Sequence, residues 1–351
     1  MTIYLYFSLF LILLYSFISL EIKKINSDRN SIFIFLSILL TLISSFRWGV
    51  GGDWESYLYV FESKGHTDFK FEWSIIFELV NYFFSYINGG IYGLNLFITS
   101  IFFLALYRLG RVLNFDLILL LLISFSLVYF NGVMGYVRQT LCLTFLIFAT
   151  EFLIRKKNYQ STIFFTLSIT THISAIIFAP IFLFIYFRNL RSIVLIIFIL
   201  SLVIIIYSNT FVVAFDNFVR IRRNSLGSMY RAIPLIMCCL IYLKFRKQII
   251  TSTRNFNFLL DYFFVMSILL SLITFLLPSL STISDRLSFY LIIFQIIILG
   301  QFFKKVIQND NKKYIHTGIF VSVSYFIITF AWLIFGNYSI FWLDYNFLYI
   351  K

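Results

Sequence analysis

Charge is what this chain has least of. Only 12% of its residues are Asp, Glu, Lys or Arg, against roughly 25% in a soluble globular domain, which excludes a solvated globular protein. Proline occurs three times in 351 residues, so little interrupts long helices. The three cysteines, Cys142, Cys238 and Cys239, lie inside apolar runs with no histidine near them in sequence. No metal-ligand spacing is present, and inert buried thiols are expected. Neither a Walker pattern nor a glycine fingerprint after a strand occurs, which removes the common soluble nucleotide sites. The apolar runs are continuous and do not alternate with period two, which argues against a membrane barrel. No Lys or Arg precedes the first apolar run and no small-residue cleavage site follows it, so the first helix is expected to be retained.

What the chain has in abundance is apolar surface: 61% hydrophobic and 21% aromatic residues, with a mean hydropathy of +0.93. A hydrocarbon core of ~30 Å takes about 20 apolar residues per helix, so the length allows about 10–12 transmembrane helices. The expected fold is an all-α, polytopic integral membrane protein, a single membrane domain over 1–351. Expected spans are 2–20, 32–46, 91–107, 115–131, 139–154, 192–209, 232–243, 258–277, 287–303 and 315–336. Residues 73–88 read as an interfacial or short segment, because Glu78 and Asn81 interrupt it. Residues 160–187 are too long for one simple span and read as a long tilted helix or as two short helices meeting at His172.

The net charge of +13 does not indicate nucleic acid, because the basic residues collect at segment ends, where they set topology and meet anionic lipid headgroups. Placing the richest clusters in the cytoplasm turns eighteen of the 28 Lys and Arg inward. Both termini, the 47–72 loop and the Arg-rich 210–231 loop then face outward. Seven of the ten outward basic residues are Arg, the better bidentate ligand for phosphate and carboxylate.

Five places carry candidate chemistry. The loop Arg47-Trp-Gly-Val-Gly-Gly-Asp53-Trp-Glu-Ser-Tyr57 and its continuation to Glu72 hold five of the 15 acidic residues. It reads either as an interfacial aromatic belt or as a site for a hydroxyl-rich ligand. In the second reading Trp and Tyr faces pack on sugar rings while carboxylates accept from hydroxyls. Arg138 and Gln139 open an apolar helix, where a charge costs about 2–3 kcal/mol unless it meets a cavity or partner. The arginine either snorkels or completes an anion site at a helix N-terminus. His172, in an apolar run, titrates near neutrality and is either a packed core histidine or a proton acceptor. Arg220, Arg222, Arg223 and Arg231 suit a diphosphate if their loop faces outward. Asp285 and Arg286 either neutralise one another or belong to a site.

These residues, in this order, resemble the signature of the EpsG family, related to the Wzy O-antigen and capsule polymerases. The resemblance is carried by the 47–57 loop, Phe71-Glu72, Arg138-Gln139, His172-Ile-Ser-Ala, and Arg286 with Tyr290. It covers about residues 45–300. Trp73-Ser74 departs from it, standing where a Pro-Gly-like turn is expected.

The resemblance implies a glycosyltransferase of the bacterial inner membrane. Such an enzyme joins undecaprenyl-diphosphate-linked oligosaccharide repeats at the periplasmic face and releases undecaprenyl diphosphate. It implies no cofactor and no metal, with membrane lipids and a chain-length regulator protein as partners and no nucleic acid. Asp53, Arg138, His172 and Arg286 take catalytic roles on this reading. Arg47, Tyr57, Glu72, Gln139, Arg220, Arg222, Arg223, Arg231 and Tyr290 take substrate-binding roles, with Arg47 either holding its loop or touching phosphate. The competing classes are a lipid-linked oligosaccharide flippase or transporter and an O-antigen ligase-type transferase. A transporter commonly shows internal repeats and midplane charges; this chain shows no repeat, and its outward charges collect at one face.

Overall fold

The structure, a computed structural model, describes residues 2–23, 28–63, 74–186, 227–250, 254–307, 310–336, 339–343 and 346–347. The expected span 192–209 and the residues Glu72, Arg220, Arg222 and Arg223 lie outside these. The described chain is all-α apart from one two-stranded pairing. Among the described residues, seven helices are long and apolar enough to cross a membrane, and four shorter apolar helices accompany them. The fold is that of a polytopic membrane protein. It divides into two compact units, 1–173 with 296–351 and 174–295.

The first unit holds α1 (Thr2–Lys23), α2 (Arg29–Ser45), α3 (Trp54–Ser63), α4 (Ile75–Tyr86), α5 (Gly90–Leu113), α6 (Leu117–Ser124), α7 (Val137–Ile154) and α8 (Asn158–Thr171). α6 runs on as a π-helix over Phe125–Val133. Leu117–Ser124 is apolar on every face and entirely buried, as expected of a helix without a polar side. Two carbonyls of the π-wound segment accept from side chains elsewhere in the first unit. Thr329 donates to Ser126 O and Trp342 to Phe130 O, both at 2.7 Å.

α2 packs antiparallel to α5: Phe33 meets Tyr107 near one end, and Ser44 Oγ donates to Thr99 Oγ1 at 3.2 Å near the other. α7 and α8 form a tight pair in which Ser161 Oγ reaches Ala149 O at 2.6 Å. At one end of this unit Arg29 pairs with Glu21 (2.6 Å) and Asp116. There, too, fully buried Glu151 holds Arg108 at 3.0 Å and Arg155 at 2.7 Å. The opposite ends carry Arg47, Asp53, Tyr57 and Arg138. At ~1.5 Å per residue, the stretch of α5 from Asn95, which meets Arg47, to Arg108, which meets Glu151, puts the two sets roughly 20 Å apart along the helix.

The stretch 160–187 is two pieces. α8 stops at Thr171, where the Thr170 and Thr171 hydroxyls bond back to the Leu167 carbonyl at 3.1 and 2.7 Å. His172 is extended at φ −156°. A 3₁₀ stretch, Ile173–Phe178, leads to α9 (Ala179–Tyr186). Pro180, which lacks an N–H, sits in the first turn of α9, where that loss is harmless.

The second unit is built on α9, α10 (Gly227–Ile249), α11 (Arg254–Leu276), α12 (Ser281–Ser288) and the start of α13 (Ile292–Phe302). Ser284 Oγ bonds Leu270 O and Thr274 Oγ1, each at 2.7 Å, and so stitches α12 to α11. α14 (Asn311–Phe335) and the short α15 (Ile340–Leu343) return the chain to the first unit.

Candidate functional site

The glycine loop is closed by its own arginine. Arg47 is 1% exposed. Its guanidinium donates to Ser44 O, to Val50 O at 3.3 Å and to Asn95 Oδ1 at 3.5 Å, and lies 5.6 Å from the Trp54 ring. Five rigidly forked donors suit a cation to tying several backbone oxygens at once, so the structure places Arg47 as the holder of the loop. The turn needs its glycines. Gly51 has φ +110°, and a Cβ on it would stand 2.5 Å from Met134 O and 2.8 Å from Gly135 Cα. The loop therefore lies directly on the turn that precedes α7.

That contact brings Asp53 and Tyr57 to the start of α7. The Tyr57 hydroxyl donates to Asp53 Oδ2 at 3.3 Å and accepts the backbone N–H of Arg138 at 3.4 Å. The Tyr57 ring is 8% exposed and packs on Phe77 at 5.4 Å within a cluster that includes Trp54, Val137 and Leu141. Burial, and then the charge of Asp53, push the Tyr57 phenol well above its ordinary value. It therefore stays protonated and remains a donor.

Arg138 is half-buried, with its guanidinium 5.9 Å from the Phe77 ring. Among the described residues no carboxylate forms an ion pair with it. Gln139 beside it is buried. His172 joins through its main chain: half-buried, it accepts a weak bond from Cys142 Sγ at 3.8 Å. Cys142 lies one turn into α7 from Arg138. Three of the five motifs singled out in the sequence thus gather on the first two turns of α7.

The second unit arranges its residues differently from expectation. Arg231 is not in a loop; it lies inside α10, which begins at Gly227. It engages Asp285 through Oδ1 at 3.2 Å and O at 3.4 Å, and sits 5.9 Å from the Phe289 ring. The carboxylate of Asp285 thus meets Arg231, fifty-four residues away in sequence. Arg286 is half-buried. Tyr290 is fully buried and set edge-on to Phe289 at 5.6 Å. On a continuous α-helix, positions four apart share a face. The 3₁₀ turn over Phe289–Leu291 shifts the phase and puts Tyr290 in the core.

One participant escaped the sequence reading. Arg47–Trp48 pairs antiparallel with Asn346–Phe347, and Gly51 N–H donates to Phe341 O at 2.8 Å. The segment is short and lacks periodicity; its tryptophan was the available signal. Asn95, the partner of Arg47, carried a better one, as an amide inside an apolar helix.

The sequence model of the EpsG family matches residues 30–347. The chain belongs to the EpsG family. This is a Wzy-like polymerase family, so the protein is a polysaccharide polymerase-like, multi-pass membrane protein. The matched span takes in the 47–57 loop, the start of α7, His172, and the 339–347 segment. No curated protein and no solved structure matches the chain significantly.

Proposed function

We propose that this EpsG-family protein is a glycosyltransferase of the bacterial inner membrane that polymerises undecaprenyl-diphosphate-linked oligosaccharide repeats at the periplasmic face. The observation that carries the reading is the junction of Asp53, Tyr57 and Arg138 at the N-terminus of α7. One phenol ties the Asp53 carboxylate to the backbone of the helix start that carries Arg138, and the Arg138 guanidinium has no ion-pair partner among the described residues.

In the transfer, the bond between the anomeric carbon of the growing chain and the diphosphate oxygen breaks, and its electron pair leaves with the diphosphate. A hydroxyl of the incoming repeat attacks that carbon and gives up its proton. Arg138, aided by the positive end of the helix dipole at the start of α7, stabilises charge developing on the leaving diphosphate. Asp53 orients the acceptor hydroxyl and takes its proton, with His172 as the alternative acceptor. The half-buried setting strengthens both effects relative to water.

Orientation follows from the grouping of helix ends. The end bearing Arg29, Arg108 and Arg155 faces the cytoplasm under the positive-inside rule, which turns the Asp53–Arg138 end outward.

The test is a deletion strain complemented with wild type, Asp53→Asn, Arg138→Ala or His172→Ala, scored by polysaccharide ladder. Loss of a polymerase leaves a single repeat on its lipid anchor. No repeat at all on the outer face identifies a flippase, and polymer that never reaches its final anchor identifies a ligase; either result overturns the reading. Full-length ladders from all three variants overturn the assignment of the site.

A further inference from the structure

Residues 339–343 and the strand 346–347 pack against both arms of the candidate site, and Trp342 is the wedge. Its indole is fully buried. Nε1 donates to Phe130 O at 2.7 Å, fixing the ring to the π-wound end of α6, and the Tyr6 hydroxyl donates to Trp342 O at 3.1 Å, fixing its backbone to α1. The ring is set edge-on to Tyr136 at 5.7 Å and to Trp332 at 5.0 Å. Its benzo edge covers Gly135 so closely that no Cβ fits there, and a Cβ on Gly52 would lie 3.4 Å from Cη2. On one side, then, the ring rests on the residue before Asp53. On the other it rests on the residue three before Arg138.

Both contacts are ring on glycine backbone. No flexible side chain lies between them to absorb a shift, and the strand pairing at Arg47–Trp48 adds a second attachment. We infer that Trp342 is a positioning residue for the proposed transfer, setting the separation of the Asp53 loop from the Arg138 helix start. The inference rests on the polymerase reading above. It adds to that reading a role for a C-terminal residue outside the proposed catalytic groups.

A misplacement of ~1 Å costs on the order of 100-fold in rate when reacting groups must be aligned. Purified Trp342→Ala is therefore expected to lose about 100-fold in kcat with KM little changed. Because that variant opens a large cavity, a second series keeps the claim testable. Gly135→Ala alone is expected to lose activity comparably, because its methyl meets the indole. Trp342→Phe alone is expected to be mild. A Cβ on Gly135 would also stand 2.8 Å from Asn131 O, a clash that no change at 342 relieves. The Gly135→Ala/Trp342→Phe double variant is therefore expected to recover only the part due to the ring, about threefold over Gly135→Ala, a non-additive outcome diagnostic of direct contact.

Docking of the segment is read separately with trypsin. Arg47 is 1% exposed beneath the paired strand. A fragment ending at Arg47 is expected from Trp342→Ala and not from wild type or Arg138→Ala. A double variant no better than Gly135→Ala overturns the inference, as does a Trp342→Ala protein that is cleaved at Arg47 yet polymerises normally. Failure of the polymerase reading looks different: purified wild type then joins no lipid-linked repeats, whereas a fully active Arg138→Ala beside an active wild type overturns only the site assignment. Failure of this inference alone shows as an active Trp342→Ala beside an inactive Arg138→Ala.

Discussion

Replacing Tyr57 by Phe removes one oxygen and leaves the ring on Phe77. That oxygen makes two bonds, donating to Asp53 at 3.3 Å and accepting from the Arg138 N–H at 3.4 Å. A hydrogen bond to a charged group is worth about 1.5–3 kcal/mol and one between neutral groups about 0.5–1.5. Both distances are long, so the low end applies, about 1–2 kcal/mol together. If the hydroxyl aligns Asp53 for proton transfer, kcat falls by about 5–30-fold and KM for the lipid-linked repeat stays near the wild-type value. The assay is turnover of a lipid-linked repeat by protein in lipid nanodiscs.

The pH dependence sharpens this prediction. Burial and Asp53 raise the Tyr57 phenol above its ordinary value, near 10 for a free tyrosine. The hydroxyl therefore stays a donor throughout the neutral range, and the ratio of wild-type to Tyr57→Phe activity is expected to stay flat up to about pH 10. The linkage sign agrees. A group protonated more tightly in the folded state contributes stability below the unfolded pKa and loses it as pH rises, so this contribution fades only on the alkaline side. Wild-type kcat in the Phe variant, or a ratio that collapses between pH 7 and 9, refutes the reasoning.

Gly51→Ala forces a side chain into φ +110° and against Met134 O. It is expected to cost more than the roughly 1–3 kcal/mol of backbone strain alone, seen as a lowered melting temperature in detergent, whereas Gly52→Ala falls nearer neutral. Arg47→Lys keeps the charge but loses the fork that reaches Ser44 O, Val50 O and Asn95. Its effect is expected in the amount of folded protein recovered from membranes, while kcat per folded molecule stays within a few-fold. Glu151→Gln leaves Arg108 and Arg155 without their buried carboxylate. Breaking a buried pair costs about 3–5 kcal/mol, and partial exposure of both arginines lowers that, so a reduced melting temperature with unchanged kcat is expected.

The apolar helices were legible because their signal is local. The stretch 139–154 emerged as Val137–Ile154 and 115–131 as Leu117–Val133. Where boundaries moved, a charge was responsible. The stretch 91–107 runs on to Leu113 because Arg108 is carried inside the helix by Glu151 on α7. The stretch 232–243 begins at Gly227 because Arg231 finds Asp285. Both pairings join residues more than forty positions apart, and no local pattern encodes them. The candidate site was legible as residue types, since Asp53, Tyr57, Arg138 and His172 are polar groups where apolar sequence predominates. Their assembly was not, because it depends on a loop resting on two glycines and on a short C-terminal segment without periodicity.

The two arginines of the first unit's candidate site show how burial separates roles that sequence treats alike. Both Arg47 and Arg138 border apolar helices, and each costs several kcal/mol to desolvate without compensation. Arg47 meets that cost internally: its donors are directed at protein oxygens and its face lies on Trp54. Such a cation has little left to offer a phosphate, so under the proposed transfer its part is to hold the loop. Arg138 stays half-exposed, over an aromatic ring and beside a helix N-terminus. A diphosphate would supply there the anion that the described protein does not. Lysine substitution should therefore separate the pair. Arg138→Lys keeps a point charge for the leaving group and is expected to retain about a tenth of wild-type kcat, on the scale of one lost charge-assisted bond. Arg138→Gln is expected to fall to the level of Arg138→Ala. A glutamine variant as active as the lysine variant would mean that the charge at position 138 plays no part in the chemistry.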